Sequence, residues 1–142
     1  MYIRLEEYDQ FRSLKDFSRE CVTEELKNIV RQFRESENLE EMLLNILNDP
    51  NRTPHGPVEI TDILTLQLSY RHKLGVAGFI LKGRSFATVR PADISHQVFR
   101  LRRISDLKYA VLGYVGNLLD EAREEFIHTA EDLGVVSGHA KL

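Results

Sequence analysis

The chain has one cysteine, no tryptophan, and no glycine before Gly56. A lone Cys21 cannot close an internal disulfide or build a cysteine-rich zinc site, and no catalytic-cysteine signature surrounds it. No apolar stretch approaches the roughly 18 residues that a membrane span needs. The segment from Met1 to Asp16 is too charged for a signal peptide, so the expectation is a cytoplasmic protein with no membrane partner. The P-loop, the Gly-x-Ser-x-Gly elbow and the dinucleotide fingerprint are all missing, which excludes nucleotide-binding, serine-hydrolase and Rossmann readings at the motif level. Five histidines, at 55, 72, 96, 128 and 139, are scattered without zinc-ligand spacing. There is no internal repeat, low-complexity tract or linker.

What is present suits one globular domain: 142 residues, 42% of them hydrophobic, are enough to bury a core and too apolar for disorder. The formal net charge of −3 argues against a nucleic-acid binder. It conceals an uneven distribution. Residues 1–50 sum to −5, residues 51–104 to +6 and residues 105–142 to −4. A basic middle between acidic ends is the first functional lead.

The glycine-free first fifty residues suit helices. Val22, Leu26, Ile29 and Phe33 share a face within a helical reading of Phe11 to Phe33. Leu39, Met42, Leu43, Ile46 and Leu47 mark one side of an amphipathic helix from Asn38 to Asn48. Asp49-Pro50-Asn51 and Pro54-His55-Gly56-Pro57 then break the helical region. Asp62 to Tyr70 reads as a strand with Ile63, Thr65, Gln67 and Ser69 on one side and Leu64, Leu66 and Leu68 on the other. Arg71 to Gly75 makes a polar hairpin turn, and Val76 to Lys82 reads as a buried partner strand. Pro91 opens a helix whose stripe is Ile94, Val98 and Leu101. Lys108 to Val115 is a strand, and Gly116-Asn117 supplies a turn and helix N-cap with Asp120 in the first turn. The last helix turns Leu119, Ala122, Phe126, Ala130 and Leu133 inward and ends at Gly134 in the left-handed conformation. Val135-Val136 starts a short final strand.

This order, with Asp62 opening one hairpin strand and Lys82 closing the next, resembles the restriction-endonuclease-like PD-(D/E)XK nuclease superfamily, in particular its Mrr-like branch. The resemblance covers roughly residues 36 to 136. It implies an α/β fold with a mixed central sheet flanked by helices. Residues 1–35 would be an added N-terminal helical extension and residues 36–142 the nuclease domain, within one compact unit. The family places a glutamate on a helix before the hairpin, an aspartate on the first strand, and an acidic residue or glutamine two positions before a lysine on the second. Those positions here are Glu40, Asp62, Ile80 and Lys82.

The implied activity is metal-dependent hydrolysis of DNA, in restriction or defence against foreign DNA. Mg²⁺, or Mn²⁺ in its place, would neutralise phosphoryl charge and present a water, held by Asp62, Glu40 and the Leu81 carbonyl. Lys82 would stabilise developing charge and orient the water. Ile80 cannot ligate a metal. Glu59 or Gln67 could fill that gap, or the fold has kept a basic surface and lost hydrolysis, leaving a module that binds nucleic acid or a partner protein. Arg84, Arg90, Arg100 and Arg103, with Arg102, would meet phosphates. Gln97 matches a supporting glutamine of some relatives, although Leu101 replaces their following tyrosine. The bland alternatives are ordinary turn chemistry for Asp62, a solvated helix position for Glu40, and pairing of the arginines with the acidic last helix. A reading of another class is an interaction protein dimerised by its N-terminal helices. Relatives often carry this module beside a sensor or recognition domain.

Overall fold

The computed structural model describes residues 2–16, 40–47, 63–83 and 85–141. The regular elements are β1 (Tyr2–Arg4), α1 (Glu40–Leu47), β2 (Ile63–Tyr70), β3 (Lys73–Lys82), β4 (Thr88–Val89), α2 (Pro91–Arg100), β5 (Leu107–Tyr114), β6 (Asn117–Leu118), α3 (Asp120–Asp132) and β7 (Val136–Lys141). Short 3-10 segments cover Leu5–Glu7, Asp9–Asp16 and Leu101–Arg103. The main sheet has the order β1-β7-β5-β3-β2, and β4 and β6 pair beside it as a second, two-stranded sheet. Strands β1, β7, β5 and β3 run parallel, and only the edge strand β2 is antiparallel to its neighbour.

Two apolar layers fix this arrangement. On one face Phe79 and Leu81 of β3 and Tyr109 and Val111 of β5 bury against Leu43, Leu44 and Leu47 of α1 and against Tyr8 and Phe11. On the other, Ile80, Ala110 and Leu112 bury against Ile94 and Val98 of α2 and Ala122, Phe126 and Ala130 of α3. Strand alternation therefore splits β3 residue by residue between the layers. The result is a mixed α/β fold with a mostly parallel five-stranded sheet flanked by helices. The stripe expected for α2 is buried as read, Gly134 takes a φ of 68°, and the last strand extends to Lys141.

Four expectations need correction. Residues 2–16, read as helical, contribute a strand and 3-10 turns. Parallel pairing of Tyr2 with Ser137 and burial of Ile3 outweigh the helical composition. The rest of the helix expected over Phe11 to Phe33 lies outside the described residues. The hairpin turn is two residues long, with Arg71 and His72 both left-handed at φ of 50° and 64°. That mirror-image turn matches strand twist. The strain of two non-glycine residues there is offset by the His72 backbone N–H donating to Asp9 Oδ2 at 2.8 Å and by Arg71 lying 5.2 Å over the Tyr70 ring. Gly75 sits inside β3, where the Lys108 stem from β5 occupies the space a Cβ would take.

The simple alternation along β2 also fails. A bulge between Thr65 and Leu68 moves Leu68 into the core while Leu64 and Leu66 stay exposed on the outer side. Finally, Asn117 is not a helix cap. It pairs with Thr88, and Leu119 is the residue before α3.

Candidate nucleic-acid interface

In open α/β sheets ligands bind beyond the carboxyl ends of the parallel strands, where loops and helix N-termini converge. Here the last residues of β3, β5 and β7 stand side by side: Lys82 pairs with Tyr114, and Tyr114 with Lys141. Alternation puts all three on the face covered by α2 and α3, since Ile80 and Leu112 two residues earlier belong to that layer.

Lys82 is 8% exposed, with its Nζ 4.6 Å from the centre of the Phe86 ring. Phe86 is held there by a turn in which its N–H donates to the Gly83 carbonyl. Among the described residues no carboxylate pairs with the Lys82 amine. The stem is buried while the amine faces the aromatic ring, an arrangement open to an anion.

Of the residues singled out by sequence, Asp62 and Arg84 lie outside the described residues, as do Glu59, His55 and Cys21. Ile63, directly after Asp62, pairs with Phe79, so β2 begins toward the end of β3 that carries Lys82. The Lys82 carbonyl accepts from Val115 on the β5 side, so alternation aims the Leu81 carbonyl toward β2. Ile80 is 1% exposed within the α2–α3 core, which removes it from any ligand set. Glu40 opens α1, an element packed on the opposite face of the sheet from Lys82.

The arginines divide. Arg90 precedes α2 at the carboxyl end, its backbone N–H donating to Asp93 Oδ2 at 2.8 Å. Arg100 ends α2, and Arg102 and Arg103 lie in the turn that leads to β5 at the other end of the sheet. The first residue of β5 pairs with Val76, six residues before Lys82, which corresponds to about 20 Å along the strand. Arg102 lies 5.7 Å over the exposed Phe99 ring. The basic residues of the middle segment thus do not form one patch at Lys82.

Other groups take their place there. Tyr2 stacks on His139 with centroids 3.9 Å apart and planes 6° from parallel. Its hydroxyl is buried and has no hydrogen-bond partner among the described residues. Burial raises the Tyr2 and Tyr114 hydroxyls above the usual tyrosine range, while Arg123 pulls both back, so both stay protonated donors at neutral pH. Burial lowers His139, keeping the imidazole neutral. Arg123, in the first turn of α3, holds Asp120 at 2.9 Å. Sequence reasoning missed Tyr114, Lys141 and Arg123 because strand register gathers the first two, and the start of α3 brings the third, from an acidic stretch of chain.

The described donor set at this end includes the Lys82 amine, phenol hydroxyls, an exposed lysine and a guanidinium. It suits an oxyanion. Among the described residues no three His, Cys, Asp or Glu side chains come together, and Asp62 lies outside those residues. No helix among the described residues is long and apolar enough to cross a membrane. Comparison with protein-family models, curated proteins and solved structures returned no match for the chain.

Proposed function

We propose that this chain is a restriction-endonuclease-like module that engages DNA at the carboxyl end of its sheet, with Lys82 facing a backbone phosphate and Asp62 required for hydrolysis. The observation that carries the reading is Lys82, 8% exposed with its amine over the Phe86 ring and no described carboxylate partner, at the end of the sheet where such folds bind ligands. The antiparallel register that starts β2 near that same end supports the pairing of Asp62 with Lys82. A divalent cation, when bound, would add neutralisation of phosphoryl charge and an activated water. Lys82 itself contributes a positive charge, held over the Phe86 ring, at a phosphoryl oxygen.

The experiment is cleavage of plasmid DNA with Mg²⁺ or Mn²⁺ by the wild type, Asp62→Ala and Lys82→Ala. Nicking or linearisation that both substitutions abolish is the expected result. Activity surviving both removes the site. A second reading is favoured by Ile80, fully buried where a carboxylate ligand would stand: the module binds DNA without cutting it. DNA binding by wild type with no cleavage in either metal would establish that alternative.

A further inference from the structure

We infer that the carboxyl-end row of Lys82, Tyr114 and Lys141 seats two phosphates of one nucleic-acid backbone, so that the site reads a polymer and not a single phosphate group. The inference rests on the DNA-directed reading above and assigns residues that reading does not use. Three consecutive parallel strands end in these side chains in direct register, on one face. Adjacent strands lie about 4.8 Å apart, so the two lysine backbones stand about 10 Å apart with Tyr114 between them.

The two cations differ in freedom. Lys82 is 8% exposed and lies over Phe86, so its amine is held at one point, whereas Lys141 is exposed and reaches outward. A phosphate on Lys82 leaves Lys141 to take a neighbouring one. Tyr114 is half-buried between them, and its protonated hydroxyl can donate to the linking oxygens. Arg123 adds a third cation at the first turn of α3, although Asp120 holds it at 2.9 Å. The acids at this end include Asp120, engaged by Arg123, Asp93, engaged by the Arg90 backbone, the exposed Glu121, and Glu6 and Glu7, which lie near His139 and pair with Arg4. Neither lysine is ion-paired to a described carboxylate.

The test is fluorescence anisotropy with a labelled duplex between about 50 and 200 mM salt, comparing wild type, Lys82→Gln, Lys141→Gln and Tyr114→Phe. Each neutralised phosphate contributes about 0.9 to the slope of log affinity against log salt. Lys82→Gln and Lys141→Gln are each expected to lower that slope by about 0.9. Tyr114→Phe is expected to weaken binding about fivefold at unchanged slope, because a neutral donor releases no counterion. Thermal melts of all four proteins confirm folding. If Lys82→Gln lowers the slope and Lys141→Gln does not, the two-phosphate row is wrong and the DNA reading stands. If wild type fails to bind duplex at about 50 mM salt, both fall.

Discussion

Replacing Lys82 by methionine separates a functional lysine from a structural one. Methionine keeps the length and the packing of the stem against Phe86 but removes the charge. The loss is the cation–π contact with Phe86 at 4.6 Å, worth about 0.5–2 kcal/mol. The gain is relief from partial desolvation of an ammonium whose stem is buried, of similar size to that loss. The net expectation is a stability change within about 1 kcal/mol. At this chain length each kcal/mol moves the melting temperature by about 3 °C, so Tm should stay within about 3 °C of wild type. DNA affinity should fall in the same variant, the pattern of a residue that serves a ligand more than the fold. Thermal denaturation beside anisotropy measures both. A fall in Tm of more than about 3 °C would refute the reasoning, because the amine would then be holding the fold together through a carboxylate and not serving a ligand.

Tyr8 is fully buried with a hydroxyl that has no partner among the described residues, and a Cβ on Gly138 would meet that hydroxyl and the ring edge. Gly138→Ala should therefore cost about 1–2 kcal/mol in urea denaturation, Tyr8→Phe should cost nothing, and the double variant should recover about 1 kcal/mol. A Tyr8→Phe loss above about 1 kcal/mol would mean the hydroxyl has a partner. The Ser69 hydroxyl, at 2.6 Å, and the His72 N–H, at 2.8 Å, hold Asp9 below the usual carboxylate range. A depressed folded-state value stabilises above the unfolded value of about 3.9 and is lost as pH falls through the folded one. Asp9→Asn should thus lower stability near pH 7, and its deficit against wild type should shrink at acid pH; a deficit constant with pH would exclude the ionic clasp. Arg102→Gln with Arg103→Gln, about 20 Å from Lys82, should leave duplex affinity within about twofold at physiological salt. A tenfold loss would mean the duplex runs along the sheet and touches both ends.

Local periodicity was enough for the elements whose burial follows it. Ile94, Val98 and Leu101 occupy one side of α2, and Gly134 ends α3 with the positive φ its position demanded. The misses have a common cause in contacts distant along the chain. Tyr2–Arg4 is a strand because β7, 135 residues later, supplies its hydrogen-bond partners. The Arg71-His72 turn is tight because Asp9, 63 residues earlier, accepts from His72. The bulge in β2 lets Leu68 enter the core beside Phe79, which the alternation of the strand alone would have placed outside. Each is decided by tertiary partners that outweigh local preference.

Charge patterning shows the same limit from the side of function. A sum over residues 51–104 treats Lys82 and Arg103 as neighbours, yet β3 and β5 separate the ends they occupy by about 20 Å, more than two Debye lengths at physiological salt. The sum over residues 105–142 is −4, and still that segment sends Lys141 and Arg123 to the end where Lys82 stands. A strand advances about 3.3 Å per residue, so three residues suffice to carry a charge out of another's screened reach, while register brings residues 32 and 27 positions apart onto adjacent strands. The electrostatic unit at this site is therefore a row across strands. Its cations contribute as separate phosphate contacts, and the salt slope, not the net charge of any segment, is the quantity that counts them.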